Sequence, residues 1–279
     1  MGVRAMADRS RWDTFERTVE PLTNRILSVL AEHDTRGTFF VLGWVADRYP
    51  ALVRRIAEAG HEIGSHSYWH REVYEHTPAT FREDLKRSIG VLEDNCGQRV
   101  LGYRAPSFSL TPGCEWALDI MLDLGLRYDA SVFPVARAHG GYPLPTQTPA
   151  TCVSLDTPTG RTIRELPMSV MRLPGWGKRV AFSGGGYFRV LPWWLVKRGF
   201  AQHNAAGKPA VLYLHPWDFA PGGPSLPMRR FQKFKCYHNR NQTERRLREL
   251  LHRYAFDTCA NVMGIEEGTA IQPSLATAA

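Results

Sequence analysis

Apolar positions along this chain recur at two different periods, and their alternation is its first structural signal. Leu22, Ile26, Leu27, Val29 and Leu30 fall at helical spacing, and the run Gly37-Thr-Phe-Phe-Val-Leu42 after them is compact and rich in strand-forming residues. Residues 45–59 return to an amphipathic helical period with Gly60 as a C-cap candidate, and His61-Glu-Ile-Gly-Ser65 reads as a short strand. Thr77-Pro78 opens a third helix reaching Leu92, with threonine as N-cap and proline at the first helical position, where no backbone donor is needed. Residues 100–103 form the next strand, residues 115–124 the next helix, closed by Gly125, and residues 126–133 the strand after it. Helix-then-strand units in succession predict parallel strands joined by crossover helices. In barrels built this way reactive side chains collect at the C-terminal ends of the strands. The polar motifs fall there: His66 and His70 after one strand, Arg104 after the next, and Asp129 near the end of another.

The second half is less regular. Residues 136–158 are rich in Pro, Gly and Thr and read as an extended loop that could line a groove. Residues 162–166 read as a strand, Gly184-Gly-Gly-Tyr-Phe-Arg189 as a flexible turn, and residues 192–203 as a helix. Residues 210–214 read as an apolar strand delivering His215 at its end. Beyond Pro221 the chain turns basic and loop-like, with one helix expected at residues 243–254.

Composition narrows the class. A chain of 279 residues with 43% apolar content buries a substantial core and fits one large α/β domain. Five cysteines without a C-x-x-C pair form neither a disulfide framework nor a thiolate zinc site, which leaves reduced thiols as the expectation. The longest apolar stretch, residues 38–46, is too short to cross a bilayer, and the first residues lack the apolar core of a signal peptide, so the chain as written is expected in the cytoplasm. The formal charge is +8, and residues 228–253 hold nine Lys and Arg against two Glu. Such a region is either a solvated helix face or a peripheral contact for a membrane surface; with no zinc-finger, RNP or helix-turn-helix pattern, nucleic acid is not expected.

Two histidines four apart in a helical turn would share one face and one ion, which makes His66 and His70 metal candidates, although H-x-x-x-H alone is common. Context adds weight, because the pair comes after a predicted strand and a later strand end presents Arg-Ala-Pro. Four segments then resemble, in order, the motifs of NodB-type polysaccharide deacetylases, carbohydrate esterase family 4. They are Gly37-Thr-Phe-Phe-Val-Leu-Gly43, Ala59-Gly-His-Glu-Ile-Gly-Ser-His-Ser-Tyr-Trp-His70, Arg104-Ala-Pro-Ser-Phe-Ser109 and Leu212-Tyr-Leu-His-Pro-Trp217. Gly184 to Arg189, His215-Pro-Trp and the basic tail further resemble the branch encoded with exopolysaccharide and exosortase loci.

The resemblance implies a distorted (β/α) barrel, with a remnant at residues 1–19, a deacetylase domain at residues 20–220 and a basic extension at residues 221–279 packed on the barrel. It implies hydrolysis of N-acetyl groups from N-acetylhexosamine units of a polysaccharide substrate, with a divalent metal, zinc foremost, held by His66 and His70. Arg104 matches the arginine that pairs with the catalytic aspartate, His215 the general acid, and Asp129 the aspartate that orients it. Tyr213 and Leu214 fall where the acetyl pocket is built, and Trp217 joins them as a substrate contact. Trp176, Tyr187, Trp193 and Trp194 are further aromatics that could stack on sugars. The chemistry is coherent in itself: an amide is a poor electrophile, so a metal that polarises its carbonyl and acidifies water, with a histidine to protonate the departing amine, meets both difficulties.

The chain departs from the family pattern at one place. The family's first motif, a strand with two acidic residues, would lie upstream of Arg9, and Ser10-Arg-Trp-Asp-Thr-Phe-Glu16 resembles the segment that comes directly after that motif. The expectation is a barrel without its first strand, from a start called late or a fragment; the alternative is a catalytically impaired, carbohydrate-binding variant. Asp8 and Asp13 are the nearest carboxylates that could substitute.

Overall fold

The computed structural model describes residues 12, 18–135, 141–144, 152–173, 179–222, 228 and 230–265. Asp8, Asp13, Trp176 and part of the expected loop at 136–158 lie outside them.

The first half follows the sequence pattern closely. Helix α1 (Val19–Ala31) leads to β1 (Thr38–Val41), and the amphipathic stretch after it is two helices, α2 (Gly43–Arg48) and α3 (Pro50–Glu58), where one was expected. The break is at Tyr49, φ −130° and ψ 56°, because the residue before a proline is sterically pushed out of the helical region. Strand β2 (Glu62–Ser65) is followed by α4 (Pro78–Cys96), whose start carries the capping box of Thr77 and Thr80 and whose end is Gly97 at φ 68°. Then come β3 (Gly102–Tyr103), α5 (Trp116–Asp123) and β4 (Tyr128–Asp129).

The expected loop contains a strand, β5 (Val153–Asp156), that pairs antiparallel with β6 (Thr162–Glu165). Two short strands not foreseen, β7 (Val170–Arg172) and β8 (Arg179–Ala181), form a separate antiparallel pair. Gly184 to Arg189, expected as a flexible turn, is mostly helix α6 (Gly185–Val190), and α7 (Trp193–Ala205) follows as expected. Residues 210–214 are extended but join 183–185 through a single parallel bridge, Gly184 to Tyr213, and form no ladder strand. The basic region holds three helices, α8 (Arg230–Tyr237), α9 (Thr243–Arg253) and α10 (Cys259–Met263), where one was expected.

The larger sheet has the order β1-β2-β3-β4-β6-β5, parallel throughout except for β5 at its edge. Leu52, Val53, Ile56, Leu85 and Leu92 bury the helix-facing side of the sheet. Gly102 lies so close to the Tyr128 ring that a Cβ there would come within 2.0 Å of it. The two ends of β2 have separate duties. At its start Glu62 accepts hydrogen bonds from Thr38 Oγ1 (2.5 Å), Tyr128 OH (2.6 Å) and the backbone N–H of Ala260 (3.1 Å), which ties α10 to the sheet. Its other end carries the histidines.

The basic region turns two of its arginines inward and leaves most of its described charge at the surface. Leu247, Leu250 and Leu251 of α9 are buried, and Leu247 and Leu251 pack with Val29, Leu30 and Phe219. Arg240 and Arg246 are themselves buried, and Arg248 pairs with Glu32 and Glu244. A uniformly solvated basic face is therefore replaced by a partly internal set of arginines. The five cysteines form no disulfide with one another, and among the described residues no helix is long and apolar enough to cross a membrane.

Candidate functional site

The segment after β2 is a turn, and not the helical turn expected from the histidine spacing. Ser67 and His70 both take positive φ, 65° and 54°, a conformation non-glycine residues adopt only when held there. The hold is visible: Asp84 of α4 accepts from the backbone N–H of Tyr68 (2.7 Å) and of Trp69 (3.2 Å), and Ser67 Oγ accepts from the N–H of His70 (2.9 Å). The N–H groups of Gly43 and Trp44 donate to the carbonyls of Ser67 and Tyr68. The turn brings the imidazoles of His66 and His70 together, ring centroids 5.2 Å apart and planes at 76°.

His66 Nδ1 lies 2.6 Å from the carbonyl oxygen of Arg104. A carbonyl only accepts, so Nδ1 carries the hydrogen and Nε2 keeps its lone pair, the tautomer a metal-binding histidine needs. Burial, reinforced by neighbouring His70, pushes the His66 pKa well below its ordinary value and keeps the ring neutral. Arg104 is buried. Its backbone N–H donates to Ser65 (3.0 Å), its Nε donates to the carbonyl of Ala130 (2.9 Å), and its guanidinium sits 4.4 Å from the Phe40 ring centroid. Nη2 finds no acceptor among the described residues.

The loop after Arg104 carries two more residues at positive φ, Ser107 and Phe108, and places the Phe108 ring 5.1 Å from that of Tyr213. Tyr213 lies against Gly184, where a Cβ would come within 2.1 Å of its ring. Its ring centroid is 5.6 Å from that of His215, which is 5.5 Å from that of Trp217. Leu214, expected in a substrate pocket, packs against the cluster of Val29, Leu30 and Phe219. Of the other aromatics, Trp193 donates to Glu249 (2.7 Å) and packs on Phe188, whereas Trp194 is 65% exposed.

The carboxylate that His215 meets among the described residues is Asp218, where Asp129 was expected. His215 Nδ1 is 3.2 Å from Asp218 Oδ2, which also accepts the His215 backbone N–H at 2.9 Å. The signal for it lies in the sequence: proline at the first position and aspartate at the third of a short 3₁₀ turn, Pro216–Phe219, form a capping box with His215. Buried Asp218 also forms an ion pair with buried Arg189, Nε to Oδ1 at 2.9 Å, although the N–H is not aimed along a hydrogen-bond line. Burial alone would raise the Asp218 pKa; the hydrogen bond and charge of His215 and the charge of Arg189 outweigh it and hold the group below its ordinary value.

Asp129 faces Glu165 across the β4–β6 register, and both are fully buried. Asp129 Oδ1 accepts from Ser131 Oγ and Glu165 Oε1 from the Val132 N–H, while the remaining oxygen of each receives no other donor among the described residues. Two buried carboxyls in register in this way are expected to hold one proton between them. Burial, then the Asp129 charge, pushes the Glu165 pKa well up, and burial raises that of Asp129. The folded state therefore binds more protons than the unfolded one above the ordinary carboxylate range. The stabilisation is complete below that range and is lost as pH rises toward the raised pKa. Glu165→Gln keeps the Val132 contact and removes the titration. Denaturant unfolding at a series of pH values should show the wild type losing up to about 1.4 kcal/mol per pH unit relative to the variant. Parallel curves would refute the shared proton.

Comparisons with known proteins bear on both halves. Residues 4–128 match the family described as polysaccharide deacetylase, and residues 130–264 match a domain of unknown function, DUF3473. A peptidoglycan-N-acetylglucosamine deacetylase of Bacillus cereus is 38% identical over 90 residues, 32% of this chain and 30% of the relative. A chitooligosaccharide deacetylase of Rhizobium leguminosarum bv. trifolii is 35% identical over 92 residues, 33% of this chain and 43% of the relative. The chain thus spans less than half the length of these two curated relatives. Among solved structures, a protein of Mycobacterium smegmatis assigned as a polysaccharide deacetylase superposes with a TM-score of 0.52 at 23% identity, over 86% of this chain and 80% of that one. A CE4 family pseudoenzyme of Bacillus anthracis superposes with a TM-score of 0.50 at 14% identity, over 88% of this chain and 62% of that one. These two likenesses establish a shared α/β fold.

Proposed function

From the premise that this chain belongs to the polysaccharide deacetylase family through residues 4–128, we propose that it is a metal-dependent hydrolase removing N-acetyl groups from N-acetylhexosamine units of a polysaccharide. The observation that carries the reading is the neutral, oriented His66 beside His70, with its Nδ1 held by the Arg104 carbonyl. Exopolysaccharide biosynthesis is the proposed setting, supported by the Gly184 to Arg189 and His215-Pro-Trp segments.

The two histidines fit a divalent metal, zinc foremost, in tautomer and ring separation, and they would supply two of its ligands. Among the described residues no group of three His, Cys, Asp or Glu completes the set. The unaccompanied Nη2 of buried Arg104 suits a carboxylate brought beside it, the place of the catalytic aspartate that the resemblance pairs with this arginine. A bound metal supplies Lewis acidity toward the acetyl carbonyl and a more acidic water.

The chain's own residues do the rest. Arg104 orients a carboxylate, Tyr213 and Phe108 wall the site with aromatic surface, and Trp217 offers a face for a sugar ring. His215, with Nδ1–H committed to Asp218, becomes the donor once Nε2 has taken up a proton from solvent, and passing that proton to the leaving amine returns the imidazole to its neutral form. Acetate release from N-acetylated chitooligosaccharide should disappear on treatment with a chelator, return with added divalent metal, and be lost in His66→Ala. Release indifferent to chelator would overturn the metal assignment. Binding of the oligosaccharide without any release would favour a carbohydrate-binding protein.

A further inference from the structure

We infer that the region spanning residues 130–264, described as a domain of unknown function, serves as a clamp that fixes the tautomer of His215 through Asp218 and Arg189. The inference rests on the reading of His215 as the proton donor.

The clamp is built in layers. Asp218 has no exposure and uses Oδ2 for the backbone N–H and Nδ1 of His215, while Oδ1 faces Arg189. Arg189, 1% exposed, is held in turn by carbonyls at the end of α8 and just after it. Its Nη1 donates to Cys236 (2.9 Å) and His238 (3.0 Å), and its Nη2 to Lys235 (3.0 Å). The Arg189 carbonyl accepts from Asn239 Nδ2 (3.1 Å) and from Arg246 Nη1 (3.2 Å). A second guanidinium, Arg240, donates its Nε to the same Cys236 carbonyl (2.9 Å), which fixes the α8 terminus that grips Arg189.

The physical reason for such an assembly is that a buried carboxylate stays ionised only beside a counter-charge. An ionised Asp218 can only accept, so the proton of neutral His215 must sit on Nδ1, leaving Nε2 to take up the proton that the amine later receives, a charged ring that the carboxylate stabilises. Without the Arg189 charge, Asp218 would take up a proton and could donate to Nδ1, and the imidazole would shift to the Nε2–H form. Arg189 is therefore a positioning residue, and two arginines of the basic region, Arg240 and Arg246, are part of the framework that holds it.

Nitrogen-15 NMR of histidine-labelled protein at neutral pH, without substrate, reads the tautomer directly. The wild type should show His215 protonated at Nδ1, and Arg189→Met should move it toward the Nε2–H form. Arg189→Lys, which keeps the charge, should retain Nδ1–H. With substrate, Arg189→Met should lower kcat by about 10- to 100-fold with KM changed by less than about twofold. A folded Arg189→Met, verified by its melt, with an unchanged His215 tautomer would overturn the clamp. If that variant does not fold, the wild-type spectrum decides, since an Nε2–H tautomer there would overturn it equally. Because the tautomer is read without turnover, absence of acetate release would defeat the deacetylase reading and leave the clamp standing.

Discussion

Replacing His215 by alanine should lower the rate of acetate release by about 10²- to 10⁴-fold while leaving the thermal melt nearly unchanged. Both halves of that expectation come from the surroundings. The imidazole is 44% exposed, so its removal opens little internal space. Its rings of contact are Tyr213 and Trp217, and its ionic partner Asp218 retains the His215 backbone N–H and the Arg189 charge in the variant. What disappears is the Nε2 position from which the amine is protonated. KM should move far less than kcat, because the group is needed when the amine departs and not for holding the sugar. A variant retaining more than about a tenth of the wild-type rate would remove His215 from the acid role.

The second large effect is expected at a residue with no direct part in the chemistry. Asp84→Ala strips the acceptor from two backbone N–H groups, those of Tyr68 and Trp69, in a turn where Ser67 and His70 are already at unfavourable φ. Leaving such groups buried without partners costs about 2–4 kcal/mol in stability. The same loss unfixes the His66 to His70 geometry, so divalent-metal affinity should fall by about 10- to 100-fold, the scale seen when groups supporting metal ligands are removed. Titration calorimetry with zinc, alongside a melt, measures both. Asp84→Asn, which still offers one acceptor oxygen, should recover part of each, and unchanged zinc affinity in Asp84→Ala would show that the turn does not depend on this carboxylate.

Most of the first half was legible because its elements are governed by local rules. Thr77-Pro78 and Gly97 mark α4 with caps that act on neighbouring residues, and the parallel order of β1 to β4 follows from alternating helix and strand periods. The turn at His66 was legible in its residues and not in its shape. An H-x-x-x-H spacing suits a helix, whereas the actual conformation depends on Asp84, far along the chain on another helix. The second half resisted for a related reason. β5, β7 and β8 are three or four residues long, too short for alternation to declare itself, and are fixed by pairing partners. The charge of residues 228–253 suggested solvent, but Arg240 and Arg246 are buried because backbone carbonyls from α6 and α8 satisfy them. Asp218 carried a local signature, Pro and Asp spaced as a cap after His215, and could have been found.

The hydrogen bonds of Arg104 bear on how this protein can change over generations. The two family matches meet between residues 128 and 130, yet Arg104 Nε binds the carbonyl of Ala130 and the N–H of Ala105 binds Ser131 Oγ at 2.7 Å, both across that point. His66 and His70 lie on one side of that point and His215 on the other. The boundary between the two matched regions therefore runs through the contacts that seat Arg104, and a chimera exchanged at that point would have to rebuild them.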